Sequence, residues 1–379
     1  MRSILKASTL ESKFPLLAVE ADCIISKDAD ITAVFEVELP ELFTVTAAEY
    51  EAIHAAWAKA IKVLPNYTVV HKQDWFIRED YRSQTDEENL SFLSRSYEMH
   101  FNERPFLNHK CYLYLTKTTK ERMRMQSSFS SLCRGFIIPK EVDKDTTAHF
   151  LDTVGQFARI VNDTGLVHLR RLVGDEITGT EDKAGLVEKY FCLSMENTTA
   201  LEDIELGDDG LRVGDKHVSV HTLSELDALP NKVGTDCRYE RLSTDKSDCK
   251  LSFASPVGLL LSCNHLYNQY IFLDDSGENL QRFEKSARNM QSLSKYSRSN
   301  QINKEWLDEY LNEAHSNGLQ SVRCHCNIIA WAENGEELRR VKNDVGSALA
   351  LMECTPHHNT TDLPALYWAG IPGNEADFP

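Results

Sequence analysis

The chain has 379 residues, 42% of them hydrophobic, which is enough apolar material for two or three domains with their own cores. Its formal net charge of -17 argues against a protein whose whole surface coats nucleic acid or anionic lipid, although it leaves room for a local basic patch. Ten scattered cysteines and the lack of a signal-like start favour reduced thiols and the cytosol. No run approaches the roughly 20 apolar residues that span a bilayer, so we expect any membrane association to depend on partners.

The first part of the chain, residues 1–140, predicts a small α+β subdomain. Its predicted elements are a hairpin of strands at 16–26 and 31–39, a helix after the capping box of Thr46 and Glu49, a strand at 67–77, a helix after the capping box of Thr85 and Glu88, and a strand at 111–116. The order ββαβαβ is typical of an antiparallel-rich sheet with helices on one face.

The rest of the chain divides into two parts by composition and pattern. Residues 141–250 form an acidic, looser middle segment with helices near 146–161 and 184–193 and a hairpin around Gly214. Residues 251–379 predict a second α+β subdomain, with strands at 257–263, 267–273 and 321–331 and three helices. The predicted fold class is α+β, with two or three subdomains whose antiparallel or mixed sheets carry helices on one face. Residues 365–379 end in a Gly-Asn-Pro segment, which we interpret as a connection to a further segment.

The sequence contains no evident catalytic, cofactor-binding or metal site. A Walker A loop requires Gly-x4-Gly-Lys-Ser/Thr, and its nearest match is GDEITGTE at residues 174–181. There Thr180 takes the place of the lysine and the surroundings are acidic, so the segment would repel phosphate. Neither a Gly-x-Ser-x-Gly elbow nor a His-Glu-x-x-His motif occurs.

One group of cysteines and histidines has the composition of a zinc site. It consists of Cys324, His325, Cys326, Cys354, His357 and His358. On a strand, Cys324 and Cys326 share the face of Ile328 while His325 points the other way, and a Cys-x-Cys pair lacks the loop that wraps a tetrahedral ion. We therefore interpret the cysteines as buried free thiols. His54, beside the apolar face of the first helix, is interpreted as a residue at the edge of the core.

Two basic stretches, residues 110–134 and 282–304, stand out against the acidic total. They supply the candidate interaction surface, which consists of Lys117, Lys120, Arg122, Arg124, Arg282, Lys285, Arg288, Lys295 and Arg298. Three interpretations remain open: ordinary solvated faces, a docking surface for an acidic partner, and a site for single-stranded nucleic acid with Phe129 and Tyr296 as stacking residues.

Several long segments resemble the TraG-type ATPases of conjugative transposons, relatives of the TrbE/CagE class of type IV secretion ATPases. The resemblance extends over essentially the whole chain. Its strongest segments are residues 9–20 (TLESKFPLLAVE), 23–46 (CIISKDADITAVFEVELPELFTVT), 101–116 (FNERPFLNHKCYLYLT), 122–136 (RMRMQSSFSSLCRGF), 300–315 (NQINKEWLDEYLNEAH) and 346–379.

This resemblance implies a cytoplasmic protein, peripheral at the inner membrane, that couples ATP hydrolysis to conjugative channel assembly and DNA transfer. The chain corresponds to the family's N-terminal docking and regulatory region, without the RecA-like domain that carries Walker A and B. The expected partners are inner-membrane secretion-channel proteins, other copies of the chain and that ATPase domain. ATP and Mg²⁺ are expected only in the missing C-terminal domain, so this chain itself is not expected to be an enzyme. The alternative is a single-stranded-nucleic-acid-binding domain that uses the two basic stretches.

Overall fold

The computed structural model describes residues 8–41, 44–81, 91–102, 104–123, 130–132, 135, 144–197, 201–207, 210–223, 228–230, 233, 237–240, 243–247, 249–293, 296–358 and 362–378. The helices are α1 (Leu10–Lys13), α2 (Ala47–Val63), α3 (Phe92–Phe101), α4 (Lys120–Met123), α5 (Lys144–Asn162), α6 (Gly174–Thr178), α7 (Leu186–Cys192), α8 (Ser255–Leu260), α9 (Ser276–Leu293), α10 (Arg298–Asn317), α11 (Gly335–Leu351) and α12 (Leu363–Ala369). The strands are β1 (Leu16–Glu20), β2 (Cys23–Ser26), β3 (Ile31–Glu38), β4 (Thr68–Asp80), β5 (Pro105–Lys117), β6 (His168–Arg171), β7 (Gly179–Thr180), β8 (Lys183–Ala184), β9 (Ile204–Gly207), β10 (Gly210–Val213), β11 (Lys216–Leu223), β12 (Cys237–Arg238), β13 (Lys250–Leu251), β14 (Asn264–Leu273), β15 (Arg323–Ala332) and β16 (His357–His358).

A 12-stranded antiparallel sheet organises the molecule. Its main order is β1-β2-β3-β5-β4-β14-β15-β11-β10-β9, with β6 paired to β3 and β16 paired to β11. The central pair β4–β14 runs from Thr68↔Leu273 to Phe76↔His265 and joins strands from the two ends of the chain. This architecture confirms the α+β class. The division at residues 140 and 250 stays a prediction, while strands from all three predicted parts belong to this one sheet.

Helices cover both faces of the sheet, whereas the sequence predicted them on one. On β5, Leu113 and Leu115 point into a core with α2 and α5, and Tyr112 and Tyr114 point into a second core with α7 and α12. Farther along the first face, α8 and α11 pack on the apolar side chains of β15. Both sets of alternating side chains on the central strands are buried, so each face needs a helical layer.

Most predicted elements are present, and the exceptions have local causes. The capping box of α2 is confirmed: Thr46 Oγ1 accepts from the Glu49 amide at 3.3 Å, and Glu49 Oε2 accepts from the Thr46 amide at 2.7 Å. The capping box of Thr85 and Glu88 lies outside the described residues. Segment 16–26 is two strands, because Ala21 and Asp22 adopt φ of 49° and 58° and reverse the chain. The strand predicted at 257–263 is wrong, since most of it is α8, which has a proline in its first turn.

The last described segment is packed into the fold. We name residues 363–378 the C-terminal strap; it comprises α12 and a 3-10 helix at Glu375–Asp377, and nearly all of its residues are buried. Gly373 has φ +88°, and a Cβ there would lie 2.5 Å from Ile24 Cγ2, so the strap passes the sheet edge through a position that requires glycine. That the strap also connects to a further domain stays a prediction.

The end of the β4–β5 hairpin extends past its neighbours. Strand β4 pairs with β14 only as far as Phe76, and β5 pairs with β3 only as far as Tyr112, yet β4 and β5 remain paired to Asp80↔Pro105. This two-stranded extension carries α3, whose Phe92 and Leu93 are 81% and 77% exposed. Of the helices in the described ranges, none combines the length and apolar character needed to cross a bilayer.

Candidate functional site

Two neighbouring rows of polar and aromatic side chains cross the sheet beneath the C-terminal strap. In the first row, Tyr114, His71, Tyr270 and His325 are register partners on β5, β4, β14 and β15. The His71 and Tyr270 rings stack with centroids 4.0 Å apart and an interplanar angle of 8°. The second row, two residues along each strand, contains Gln73, Asn268 and Asn327. We name these two rows the polar network; side chains two residues apart share a face, so both rows face the strap.

Amide side chains connect the polar network across the strands. Asn268 Oδ1 accepts from Gln73 Nε2 at 2.9 Å and lies 3.0 Å from His71 Nε2, and Asn268 Nδ2 donates to Asn327 Oδ1 at 2.8 Å. Since Asn268 Oδ1 is an acceptor, His71 Nε2 carries a proton. In the neutral ring His71 Nδ1 is then an acceptor, and among the described residues it has no hydrogen-bond partner.

Gln73 is the centre of this network, because both ends of its amide are used. Its Oε1 accepts from Trp75 Nε1 at 2.9 Å and from the Tyr114 hydroxyl at 3.1 Å. Its Nε2 also donates to the carbonyl of Gly370 in the strap at 3.2 Å. Because the partners of this buried amide are fixed, its hydrogen bond to Gly370 is satisfied in one position of the strap.

Glu375 brings a carboxylate from the strap into the same buried region. Thr116 Oγ1 donates to Glu375 Oε2 at 2.7 Å, and the amide of Gly373 donates to Glu375 Oε1 at 2.9 Å. Glu375 Oε1 lies 3.8 Å from His71 Nδ1, which is too long for a hydrogen bond. Both side chains are fully buried, so the strap carries a carboxylate that Thr116 of the sheet and Gly373 of the strap satisfy together.

A buried ion cluster fixes the end of the strap. Arg122 Nε donates to Asp30 Oδ2 at 2.6 Å, and its Nη1 lies 2.6 Å from Asp28 Oδ2 and 3.6 Å from Asp377 Oδ1. Asp377 also accepts from the Ser131 amide at 2.8 Å and from the Ser131 hydroxyl at 2.7 Å. Burial raises the pKa of Asp30 although Arg122 opposes it, so the carboxylate depends on the guanidinium to stay ionised.

The predicted interaction residues separate into different environments. Arg122 was predicted on a surface, and this is wrong, because it is 5% exposed and bound to Asp28 and Asp30. Lys117 donates to the carbonyl of Asn66 at 2.7 Å, and Lys120 pairs with Glu278. Arg282, Lys285, Arg288 and Arg298 are exposed on α9 and α10, whereas Arg124 and Lys295 lie outside the described residues.

The cysteines and histidines of the zinc hypothesis are spread over several elements: Cys324, His325 and Cys326 alternate along β15, Cys354 follows α11, and His357 and His358 form β16. Cys326 packs with Ile328, as the alternation predicted, while the His325 ring is 4.3 Å from that of Phe378 in the strap. Burial lowers the pKa of His325 to about 3 and raises the pKa of Cys326 to about 11. Cys354 is buried, but Cys324 is exposed, contrary to the buried thiol expected there. In the described ranges, no three His, Cys, Asp or Glu side chains group as metal ligands.

Two further predicted positions are placed on α2 and α6. His54, expected at the edge of the core, is exposed on α2. In the segment nearest to a Walker A loop, the amide of Gly174 donates to Asp22 Oδ1 at 2.8 Å. The amide of Gly174 is thus hydrogen-bonded to a carboxylate of the protein itself.

The opposite face carries a second polar cluster that the sequence analysis missed. His109 Nε2 lies 2.9 Å from Asp74 Oδ1, Lys72 pairs with the same carboxylate, and Cys111 is the register partner of Asp74. Burial raises the pKa of Asp74, but Lys72 and His109 outweigh it and hold that pKa well below its usual range. Burial also raises the pKa of Cys111 well above its usual range. The thiol is therefore protonated and inaccessible, which disfavours nucleophilic catalysis.

Comparison with known proteins finds a similarity at the start of the chain. A family model described as "Domain of unknown function, B. Theta Gene description (DUF3875)" matches residues 3–55. In the structure, this segment supplies β1 to β3, the first half of α2, and the residues Asp28, Asp30 and Thr32 around the polar network and the ion cluster. No curated protein matches the chain.

Proposed function

We propose that the chain is the docking and regulatory part of a conjugation ATPase of the type IV secretion class, and that the C-terminal strap couples it to a separate ATP-hydrolysing domain. The resemblance over residues 9–46, 101–136, 300–315 and 346–379 supports the class. The observation that carries the coupling role is that the strap, inside the last of these segments, is bound to the sheet through buried polar groups rather than by apolar packing alone.

Buried polar contacts of this kind favour two discrete positions of the strap, one bound to the sheet and one released from it. If the strap shifted by one position, Glu375 and Gln73 would lose partners that water could not replace inside the fold. Intermediate positions are therefore unfavourable, and the strap is either seated or released. A motor connected to the strap could use that difference to signal its nucleotide state to the docking part.

The proposal also includes the location, partners and cofactors that the resemblance implies. The protein acts in the cytoplasm, peripheral at the inner membrane, against channel proteins and other copies of itself, and ATP with Mg²⁺ belongs to the separate domain. The exposed cations of α9 (Arg282, Lys285 and Arg288) are the docking surface offered to an acidic partner.

The coding sequence gives the first test of this proposal. We expect a Gly-x4-Gly-Lys-Ser/Thr motif within about a hundred codons after Pro379, because such a loop holds the phosphates of ATP. A stop codon directly after Pro379 would contradict the proposal.

The second test is enzymatic and uses the protein with that domain attached. Glu375→Leu should change the rate of ATP hydrolysis several-fold, whereas Glu313→Leu, an exposed carboxylate on α10, should leave it unchanged. The 379-residue chain alone should release no phosphate from ATP. Hydrolysis by this chain alone, or equal rates for the two variants, would overturn the proposed role.

A second candidate function is binding of single-stranded nucleic acid. It is favoured by the three exposed cations along α9 and by Tyr296, which is 85% exposed. This function predicts affinity for a single-stranded oligonucleotide that falls steeply with salt and is lost in Arg288→Glu with Arg298→Glu. The absence of binding at low salt would eliminate it.

A further inference from the structure

A cleft of about 340 Å³ lies between the β3–β5 side of the sheet and the α6–α7 region. Its floor is formed by the buried side chains of Tyr112, Leu172 and Leu186. Ligand sites for small molecules begin at about 300 Å³ and combine an apolar floor with a few convergent polar groups. Neither the polar network nor the basic stretch of α9 contributes to this cleft.

The acidic side chains of the cleft already have partners. Arg170 Nη2 lies 2.6 Å from Glu36 Oε2, and its Nη1 lies 2.9 Å from Glu176 Oε2. These contacts raise the pKa of Arg170, and the hydrogen bond from Arg170 lowers the pKa of Glu176. Glu79 accepts from Asn108 Nδ2 at 3.1 Å. The carboxylates are thus occupied by groups of the protein itself.

Four cations (Lys110, Arg170, Lys183 and Lys189) and three carboxylates (Glu36, Glu79 and Glu176) line the cleft, so the net charge of its lining is +1. Lys110 Nζ is 3.8 Å from Glu36 Oε1, and within the described residues neither Lys183 nor Lys189 has a carboxylate within ion-pair distance. Burial lowers the pKa of Lys189, the charges of Lys183 and Lys110 lower it further, and the charge of Glu36 opposes them. In a chain of net charge -17 this positive lining is a local exception, and an anion bound between the three ammonium groups would reduce their mutual repulsion.

The local backbone fixes the positions from which Lys183 and Lys189 extend. Lys183 begins β8, and Gly179, the first residue of the paired strand β7, has φ +90°. A Cβ on Gly185 would lie 2.2 Å from the Gly179 nitrogen, so the hairpin packs directly against the start of α7, which carries Lys189. The backbone positions of Lys183 and Lys189 are therefore fixed relative to each other before any ligand binds, which reduces the entropy cost of binding.

We propose that this cleft binds a small phosphate-bearing anion through Lys110, Lys183 and Lys189. Ammonium groups bind phosphate oxygens by charge-assisted hydrogen bonds, and three of them match the several acceptors of one phosphate group. The aromatic and aliphatic floor gives room for an organic substituent, and the volume limits the ligand to a small molecule. This site is independent of the function proposed above, since neither the strap nor a separate domain takes part.

Isothermal titration of the 379-residue chain at low ionic strength tests the proposal with three probes: inorganic pyrophosphate, ribose 5-phosphate and citrate. We expect saturable one-to-one binding of a phosphate compound and at least tenfold weaker binding of citrate. Lys183→Ala with Lys189→Ala should weaken phosphate binding at least tenfold, and Lys183→Glu should abolish it. Lys59→Ala, an exposed lysine on α2, is the matched control and should bind like the parent chain.

The relative affinities distinguish the sources of the phosphate. Tighter binding of ribose 5-phosphate than of pyrophosphate identifies an organic phosphate, and the reverse order identifies the inorganic anion; both support the site. Equal binding of citrate, unchanged affinity in the double lysine variant with a native circular dichroism spectrum, or no saturable binding at millimolar concentration would overturn it.

Discussion

The C-terminal strap and α3 both differ from what their sequences predict: the strap is buried, and α3 is exposed. Residues 365–379 look like a connection, with Gly, Asn and Pro, yet the strap is buried on the sheet. The helix predicted after Thr85 and Glu88 was expected on one face of the sheet, yet Phe92, Leu93, Tyr97 and Met99 of α3 are all exposed. The two segments differ in whether a surface of the fold that matches their side chains lies next to them. The strap meets a face with matching polar groups, whereas α3 lies beyond the last strands that could receive its apolar side chains.

This contrast shows that apolar content alone does not decide which segment is buried. The strap brings two carboxylates, Glu375 and Asp377, into the interior, and each finds several donors there. Once those bonds exist, the neighbouring aromatic residues Tyr367 and Trp368 are buried with them. In the part of the chain that the structure describes, no layer faces the apolar side chains of α3, and hydrophobic burial requires one.

The largest expected effect compares one leucine from each region. Leu366→Ser in α12 should lower the free energy of unfolding by about 4–6 kcal/mol, because it leaves a cavity and buries a hydroxyl. Leu93→Ser in α3 should change it by less than about 0.5 kcal/mol, because that side chain is exposed. Urea unfolding followed by circular dichroism measures both. Equal losses would mean that α3 is packed as firmly as the strap.

Removal of the guanidinium from the ion cluster should have the next largest effect. Arg122→Ala leaves Asp30 and Asp377 as buried carboxylates without their cation and should cost about 3–5 kcal/mol. Lys120→Ala, two residues away, removes a partly exposed pair with Glu278 and should cost less than about 1 kcal/mol. The same urea titration compares them, and a cost below about 1 kcal/mol for Arg122→Ala would remove the ion cluster from the account of strap binding.

The pH dependence of stability should distinguish the histidine beneath the strap from a histidine of α3. Burial lowers the pKa of His325 to about 3, below the ordinary value of about 6.5. Between these values the unfolded chain binds a proton that the folded chain does not, so stability falls as the pH falls from about 6.5 towards 3. His325→Gln should reduce this slope by up to about 1.4 kcal/mol per pH unit.

The control for that measurement is His100→Gln, because His100 is exposed on α3. Urea unfolding of both variants and the parent chain at pH 6.5, 5.5 and 4.5 gives the slopes. An unchanged slope for His325→Gln would mean that His325 is accessible to protons in the folded protein, and hence that the strap does not cover it.

A glycine substitution tests the path of the strap with a smaller expected effect. Gly373→Ala should cost about 1–3 kcal/mol, because φ +88° is unfavourable for alanine and its Cβ would meet Ile24. Gly155→Ala in α5 meets no neighbour within 4 Å and should stabilise the protein by about 0.5–1 kcal/mol. Thermal unfolding of the two variants should therefore shift in opposite directions; a stabilising Gly373→Ala would show that the strap follows another path.

The sequence predicted those parts of the fold that local patterns determine. The capping box at Thr46 and Glu49, the hairpin around Gly214 and the helices α5, α7, α9, α10 and α11 appear as expected. The β4–β14 pairing was not predictable in this way, because its partners are separated by almost 200 residues and both strands have many possible neighbours.

The polar network was missed because each of its residues looks ordinary within its own strand. His71 and Gln73, or Asn268 and Tyr270, at alternate positions resemble the solvent-facing side of a half-buried strand. The only available signal was that β4, β14 and β15 each carry such a pair. Arg122 was misplaced for a related reason, since a cation in a basic stretch reveals nothing about distant carboxylates such as Asp30 and Asp377.

Hydrogen–deuterium exchange of the 379-residue chain tests most directly whether the strap is an integral part of the sheet. The amides of Asn374 and Asp377 donate to Ile371 and Asn374, and the amides of α3 are likewise hydrogen-bonded, so a difference between the two regions reports on their burial and local opening. We predict that amides of residues 370–377 exchange as slowly as those of β4 and β14, and that those of α3 exchange within seconds to minutes. Exchange of the strap as fast as that of α3 would contradict the account.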